Sequence, residues 1–513
     1  TSNMGSDVIA NLPGNKLGSE PEVVDQVMDI VRRQLSPDLF NRIDDYTGLL
    51  MPGNLLAANS ILSETCSAMT KEACQDVEVI GWLYQFYISE KKDAVFEGFK
   101  KNVKATPETI PAATQLFTPH WIVQYLVENS LGRLWMLNHP NSSLVNQMQY
   151  YIAPEEPETD FLKITSPEEI KICDPACGSG HMLTYAFDLL HAIYEEQGYD
   201  PAQIPSLILT RNLYGIEIDK RAGELASLAL TMKARSKNRL FFEQGIQPNI
   251  CVLEKIAFDD NELDEYINRV GRDLFTSNLR TALTQFEEAD NFGALIQPAL
   301  TDIDPVKERL HETDVSGDLL IKSTHDRVMT VLEQCEYLKQ KYHVVIANPP
   351  YMGGNNMNGR LSSFAKDHFP DSKSDLFAMF MERGLQLVIN IGYLSMITMQ
   401  SWMFLSSYEK LRIFLLKQKT ITSLIQLEYS GFEGATVPIC SFTIQNNIKP
   451  DFRGGYIKLS DFKGAANQAP KTLEAIKNSD IVIQLGLLDD DKLSLLKENQ
   501  TLIGSLNAFL NKE

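Results

Sequence analysis

Two successive segments of this chain each combine a short apolar stretch, a turn and a long helical pattern. Residues 169–197 begin EIKIC, pass through the turn DPACGSG and continue as a helix-like run, and residues 211–235 repeat this order with GIEID at the turn. Strands that alternate with helices are typical of a parallel or mostly parallel sheet with helices on both faces, so the sequence predicts an α/β fold. Further strands are predicted within 342–351, 392–404, 421–429 and 437–445.

The pattern divides the chain into three parts. Residues 1–105 predict an N-terminal helical domain, and residues 106–445 predict the strand-containing domain. Within that domain, residues 258–340 are polar and helix-like, which indicates a helical insertion that is either a structural insert or a partner surface. Residues 446–513 form a C-terminal segment and a candidate start of a target-recognition region.

Four aromatic residues follow one another at helical spacing in the N-terminal part. They are Trp82, Tyr84, Phe86 and Tyr87. Large aromatic side chains at such spacing are more often buried than used as a binding platform, so we expect them in the core.

The composition excludes a wholly disordered, a collagen-like or a disulfide-scaffold chain. Of 513 residues, 44% are hydrophobic and 22% charged, as in globular proteins. The 47 basic and 67 acidic side chains give a net charge of −20, so DNA binding would need a local basic groove or partners. Scattered cysteines, with neither a signal pattern nor a membrane span, favour a reduced, intracellular compartment and no membrane contact. A start without Met suggests a fragment.

The turn DPACGSG (174–180) follows a strand and precedes a helix. Closely spaced glycines let the backbone approach a ligand and expose amides at the helix start. No Lys-Ser or Lys-Thr pair follows, which disfavours a phosphate-binding P-loop. A plain tight turn without a ligand remains the alternative.

The turn GIEID (215–219) offers two acids at the end of the next strand. An acid in this place accepts hydrogen bonds from ribose hydroxyls in nucleotide-binding α/β folds. Glu217 is the better candidate for that contact. Asp219 is the second candidate and also suits the role of a helix N-cap.

The tetrapeptide NPPY (348–351) follows the apolar strand HVVIA. Its two prolines stiffen the turn and remove two N–H donors, which leaves the Asn348 side-chain oxygen and the Pro349 carbonyl as fixed acceptors. Two convergent acceptors suit an amino group whose lone pair is delocalised into a ring or an amide. Tyr351 offers a ring face on which a planar group can stack.

The order of FTPHWIVQYL, DPACGSG, GIEID and IANPPY resembles the adenine-N6 DNA methyltransferases in which the cofactor motif comes first. The resemblance covers roughly residues 112–445. It implies a Rossmann-like sheet, S-adenosylmethionine as cofactor and site-specific methylation of an adenine flipped out of double-stranded DNA. The helical start, the insertion and the stretch PNICVLEK resemble more narrowly the methyltransferases of BREX phage-defence systems, which implies other defence-system proteins as partners.

The resemblance also implies roles for single residues. Thr118 would contact the carboxylate end of the cofactor, Asp174 its amino group and Glu217 its ribose. Ile218 and Phe380 would lie on the two faces of its adenine. The other residues implied at the cofactor are Pro119, Pro175, Ala176, Gly178 and Gly180.

The target adenine would be held by a second set of residues. Asn348, Pro349, Pro350 and Tyr351 form the implied catalytic tetrapeptide. Phe432 would cover the opposite face of the flipped base, with a core aromatic as the alternative.

The sequence departs from the family pattern in two places. Family members usually have an acid after the third strand that contacts the cofactor's adenine amine, and here Asn249 is the residue offered instead. After Thr443 about seventy residues remain, so we expect that the chain is truncated or that sequence recognition lies elsewhere.

Two other functions remain open. NPPY also resembles the motif of glutamine-amide protein methyltransferases, because a carboxamide poses the same lone-pair problem. The chain is alternatively a cofactor-binding recognition or scaffold subunit that is inactive alone. A metal site is not expected, since the eight histidines are dispersed and no HExxH motif occurs.

Overall fold

The structure is a computed structural model. In it the chain forms two compact units. One unit comprises residues 1–79 and 238–246, and the other comprises residues 80–237 and 247–513. The structure describes residues 78–114, 118–154, 157–270, 277–300, 302–313, 319–429, 437–450, 452–477 and 483–485, together with Ser63, Glu64, Ser67 and Thr70. In the first unit, the described residues include the short 3-10 helix Phe241–Gln244.

The second unit is built on a mixed nine-stranded sheet. Its strand order is β3-β2-β1-β4-β5-β7-β6-β8-β9. The strands are β1 Ile172–Asp174, β2 Leu213–Glu217, β3 Asn249–Val252, β4 Tyr342–Ala347, β5 Val388–Met399, β6 Thr420–Gln426, β7 Ile439–Gln445, β8 Gly454–Lys458 and β9 Ile483–Leu485.

The first five strands in spatial order are parallel, and the pairings around β7 are antiparallel. β3, β2, β1, β4 and β5 pair in parallel, whereas β7 lies antiparallel between β5 and β6. The chain goes from β1 to β2 on one side, while β4 pairs on the other side of β1. Such a reversal of strand order opens a crevice at the carboxyl ends of the strands. The predicted Rossmann-like α/β sheet is confirmed.

Helices flank the strands and fill the stretch between β3 and β4. The predicted helical character of residues 258–340 agrees with the helices described there. The helices are α1 Glu78–Lys100, α2 Ile110–Thr114, α3 His120–Val127, α4 Arg133–Asn138, α5 His181–Glu196, α6 Ile204–Leu207, α7 Lys220–Lys237, α8 Asp260–Val270, α9 Ser277–Gln285, α10 Ala289–Phe292, α11 Asp304–His311, α12 Leu319–Lys339, α13 Gly359–His368, α14 Leu376–Leu387, α15 Glu409–Gln418 and α16 Ala465–Lys477.

The helix predicted after the Thr-Pro pair is present but not regular. Pro119 is the N-cap of α3, and a π-helical turn, Glu128–Gly132, joins α3 to α4. At this turn the Asn129 amide donates to the carbonyls of Tyr125 and Tyr150, each over 2.8 Å. The polar side chains of the turn therefore connect the helix to the segment that follows α4.

The aromatic residues of α1 differ from the expectation of a common core. Tyr84 is buried, with 5% of its surface exposed, but Phe86 is 77% exposed. Trp82 and Tyr87 are 50% and 64% exposed. A helix can bury only the residues on one of its faces, so the core prediction is wrong for these three.

The sheet continues beyond residue 445. β8 pairs in parallel with β6, and β9 pairs antiparallel with β8. No strand was predicted in this C-terminal segment, because its apolar stretches are short.

Within the described part of the chain, the helices are too short or too polar to cross a bilayer.

The turn between β1 and α5 requires a glycine. Gly180 is the N-cap of α5 and has φ of 83°, which favours glycine. A Cβ at this position would lie 3.1 Å from both Cα and Cβ of Ala226 on α7. The absence of a side chain therefore allows the turn to pack directly against a neighbouring helix.

We predict that Gly180→Ala destabilises the fold more than Gly198→Ala. Gly198 also has a positive φ, of 78°, but a Cβ there would meet no atom within 4 Å. The free energy of unfolding of the control, Gly198→Ala, should fall by about 1–2 kcal/mol because of backbone strain. That of Gly180→Ala should fall by a further ~1–3 kcal/mol because of overpacking. Free energies of unfolding from denaturant titration test this, and equal losses would contradict the packing argument.

Candidate active site

A cavity lies at the carboxyl ends of β1, β2 and β4. It is lined by most of the residues predicted for the site, namely Thr118, Asp174, Pro175, Ala176, Gly178, Glu217, Ile218, Asn348, Pro350 and Phe380. Among the other predicted residues, Pro119, Gly180, Pro349 and Tyr351 adjoin these in sequence but do not line it. The fold thus gathers four separated motifs around one cavity.

Asp174, the last residue of β1, is a buried carboxyl group at the wall of this cavity. Its Oδ1 accepts a hydrogen bond of 3.0 Å from the backbone N–H of Ala176. Burial raises the pKa of Asp174 to about 8, the nearby charge of Glu217 raises it too, and the bond from Ala176 opposes the shift. At neutral pH the side chain is mostly protonated, and a bound cation would favour its ionised form.

Glu217, the last residue of β2, is held by backbone amides. Its Oε2 accepts from Gly178 N–H over 2.7 Å, and its Oε1 accepts from the N–H groups of Ile218 and Asp219 over 2.9 and 3.0 Å. Burial raises its pKa, and these hydrogen bonds oppose that rise. An ionised carboxylate has about four acceptor positions, so one remains for a ligand hydroxyl.

Asp219 fulfils the N-cap role that its position suggested. Its Oδ1 accepts from the backbone N–H of Arg221 over 2.9 Å at the start of α7. Its Oδ2 accepts a 2.6 Å hydrogen bond from the hydroxyl of Tyr84. Tyr84 also lines the cavity, so Asp219 attaches α1 to the site.

Asn348 follows β4 and is oriented by Thr118. Its Nδ2 donates to Thr118 Oγ1 over 3.0 Å. Because the amide nitrogen faces Thr118, the amide oxygen points to the other side of the group. Thr118 therefore has a hydrogen bond with Asn348 that was not predicted from the sequence.

Tyr351 has a fixed position beside this turn. Its hydroxyl donates to the Ile397 carbonyl over 3.1 Å, and its ring meets Phe377 edge-on at 6.2 Å between centroids. Burial raises the pKa of Tyr351 well above its usual range, so the hydroxyl stays neutral. The ring is held rigidly without contributing a charge.

Asp375 connects the chain after Tyr351 to helix α14. Its Oδ1 accepts from the N–H groups of Met352 and Phe377 over 2.9 and 3.3 Å. Burial raises the pKa of Asp375 to about 7, against these hydrogen bonds. The same helix presents Phe380 to the cavity.

The structure contradicts the expectation for Asn249. This residue begins β3, at the end of the sheet opposite the cavity, because β3 runs parallel to β2. Its amide donates to the carbonyls of Leu209 and Leu213 over 2.8 and 3.3 Å. Asn249 therefore serves the backbone and is not a cofactor residue.

Phe432 lies outside the described residues, so its assignment to the target base stays a prediction.

Two groups of cavity residues were not predicted from the sequence. One comes from the part that precedes the Thr-Pro pair and comprises Tyr84, Gln85, Ile110, Pro111 and Thr114. The other, residues 291–295, belongs to the helical stretch between β3 and β4. Neither group contains a recognisable motif, and helical periodicity could have identified only the buried side of α1.

Over the part of the chain that is described, no three His, Cys, Asp or Glu side chains are grouped as metal ligands.

Two families of DNA methylases match this chain. The Eco57I restriction-modification methylase family matches residues 211–432, and the MmeI DNA-methyltransferase domain matches residues 162–255. Among solved structures, the ATP-dependent Type ISP restriction-modification enzyme LlaBIII bound to DNA is similar at 12% identity and a TM-score of 0.46. That comparison covers 90% of this chain and 27% of LlaBIII.

Two relatives match most of the chain. It is 44% identical over 460 residues to the adenine-specific methyltransferase BrxX of Escherichia coli O9:H4 (strain HS), covering 83% of this chain. It is 33% identical over 474 residues to the adenine-specific methyltransferase PglX of Lacticaseibacillus casei (strain Zhang), covering 87% of this chain. The chain spans 38% of the length of each. Over the matched residues this chain is similar to adenine-specific methyltransferases, and this similarity supports S-adenosylmethionine as the cofactor.

Proposed function

We propose that this chain transfers a methyl group from S-adenosylmethionine to N6 of an adenine flipped out of double-stranded DNA. The proposal rests on one observation: Asn348, oriented by Thr118, opens into the same cavity as the carboxyl groups of Asp174 and Glu217. An amino-group acceptor and a cofactor cradle thus share one space.

The residues on the cofactor side fit S-adenosylmethionine. Asp174 supplies a carboxylate for the ammonium group, and Glu217 supplies an acceptor for a ribose hydroxyl. Ile218 and Phe380 offer apolar surfaces for the adenine ring. When bound, the cofactor supplies an electrophilic methyl group on a positively charged sulfur.

The residues on the DNA side fit an exocyclic amine. Asn348 Oδ1 and the Pro349 carbonyl accept its two hydrogens, which makes the nitrogen lone pair available. Tyr351, held by Ile397 and Phe377, provides a stacking face. Flipping the base costs a few kcal/mol, and these contacts offset that cost.

The similarity to BrxX and PglX favours a role in a BREX-type phage-defence system. DNA as substrate would place the protein in the bacterial cytoplasm. Because the net charge is −20, we expect DNA binding to be assisted by other proteins of the system or by a local basic surface.

We predict that Asn348→Ala abolishes methyl transfer while cofactor affinity changes by less than about twofold, because Asn348 accepts from the amine. The matched variant Asn348→Asp keeps an acceptor at this place and should retain part of the activity. Single-turnover transfer from radiolabelled cofactor to unmethylated genomic DNA measures activity, and calorimetry measures affinity.

Two results would overturn this proposal. One is near-normal transfer by Asn348→Ala. The other is a wild-type chain that forms no N6-methyladenine in DNA, particularly if it methylates a glutamine-containing peptide, as the protein-methyltransferase alternative requires.

Asp174 generates a separate prediction about protons. In the free chain it is mostly protonated at pH 7, because burial raises its pKa to about 8. A bound ammonium group lowers that pKa, so binding at pH 7 should release close to one proton. Calorimetric titrations with S-adenosylmethionine, in buffers of different ionisation enthalpy, measure this number.

Asp174→Asn is the control for this prediction. It keeps the acceptor for Ala176 but cannot ionise, so it should release no proton and bind about 10- to 100-fold more weakly. Proton release that is unchanged in the variant would exclude Asp174 as its source.

A further inference from the structure

The helical stretch between β3 and β4 contributes a wall to the cavity. We call residues 289–296 the insertion corner; it consists of α10, the 3-10 helix Gly293–Leu295 and Ile296. Five of its residues, 291–295, line the cavity. The corner lies outside DPACGSG, GIEID and NPPY, and its contacts with the rest of the site indicate what it does.

The first contact is between Gly293 and Ile218. Gly293 has φ of 55° and ψ of −141°, a conformation that side chains rarely adopt. A Cβ on Gly293 would lie 2.9 Å from Cγ2 of Ile218. The backbone of the corner therefore packs directly on the residue that follows Glu217.

The second contact fixes the corner to helix α14. Arg383 is buried, and its Nε donates to the Ala294 carbonyl over 2.9 Å. Its Nη2 donates to the carbonyls of Ile296 over 2.9 Å and Leu338 over 2.7 Å. Burial lowers the pKa of Arg383 to about 10, so the guanidinium remains charged at neutral pH.

Arg383 lies three residues after Phe380, so both are on one side of α14. One helix therefore presents an aromatic ring to the cavity and holds the corner that meets Ile218. Ile218, Phe380 and the corner all line the cavity.

The third contact links the corner to the chain after NPPY. Asn358 Nδ2 donates to Asn291 Oδ1 over 2.8 Å, and Asn291 Nδ2 donates back over 3.3 Å. Asn358 caps α13 by accepting from Leu361 N–H over 2.9 Å. The corner is thus attached both to α14 and to the start of α13.

We propose that the insertion corner is the third wall of the subsite for the cofactor's adenine and that Arg383 is its positioning residue. This inference rests on the proposed function, because it assigns the ribose to Glu217 and therefore the base to the space beside Ile218. The corner selects the base by shape.

Gly293→Ala tests the wall directly. The new methyl group must displace the corner or Ile218, so the dissociation constant should rise at least about tenfold. Calorimetry should use S-adenosylmethionine, S-adenosylhomocysteine and 5′-methylthioadenosine, which lacks the amino-acid end. An equal loss for all three ligands is expected, and an unchanged affinity for 5′-methylthioadenosine would overturn the assignment to the base.

Arg383→Lys tests the positioning role. Lysine keeps the charge but cannot reach three carbonyls with a planar fork. We expect weaker binding of 5′-methylthioadenosine at temperatures where the variant is fully folded by circular dichroism. A lower melting temperature with unchanged affinity would reduce Arg383 to a structural role and overturn this part of the proposal.

Gly198→Ala is the matched control, because it also places a side chain at a positive φ but meets no atom within 4 Å. It should bind all three ligands as the wild type does. Failure of the wild-type chain to bind S-adenosylmethionine would overturn the proposed function itself. Normal wild-type binding that Gly293→Ala leaves unchanged would overturn only the role of the corner.

Discussion

The direction of three neighbouring strands is the constraint on which the site depends. β1, β2 and β4 are parallel, so their carboxyl ends meet at one edge of the sheet. Asp174 and Glu217 end two of these strands, and Asn348 follows the third. Any antiparallel pairing among the three would carry one of these side chains to the opposite edge. The proximity of these three side chains therefore depends first on the direction of the strands and only then on individual contacts.

The same constraint explains which parts of the site could be predicted from the sequence. Asp174, Glu217 and Asn348 each stand directly after an apolar stretch, and the period of such a stretch indicates a strand. Because carboxyl ends of parallel strands meet, their proximity follows from local patterns alone. The N-cap role of Asp219 is local in the same sense, since the acceptor and the N–H group of Arg221 are two residues apart.

Other parts of the site depend on contacts that local patterns do not encode. Asn249 was predicted to stand in for an acid that follows the third strand, whereas in the structure it is the first residue of β3. Tyr84 and Gly293 reach the cavity only through packing between segments far apart in the sequence. The exposed rings of Trp82 and Phe86 show that apolar character without a defined face does not predict burial. In each case the missing information is tertiary.

The hydrogen bond between Thr118 and Asn348 joins residues that are 230 positions apart. A contact of such high sequence separation closes only after both segments have docked on the sheet, since the entropy of the intervening loop must be lost first. Until that moment the amide of Asn348 rotates freely and presents donor and acceptor alike. An incompletely folded or locally opened chain therefore has no defined acceptor at this position, and the orientation of this one amide reports that the segment of Thr118 has docked beside the end of β4.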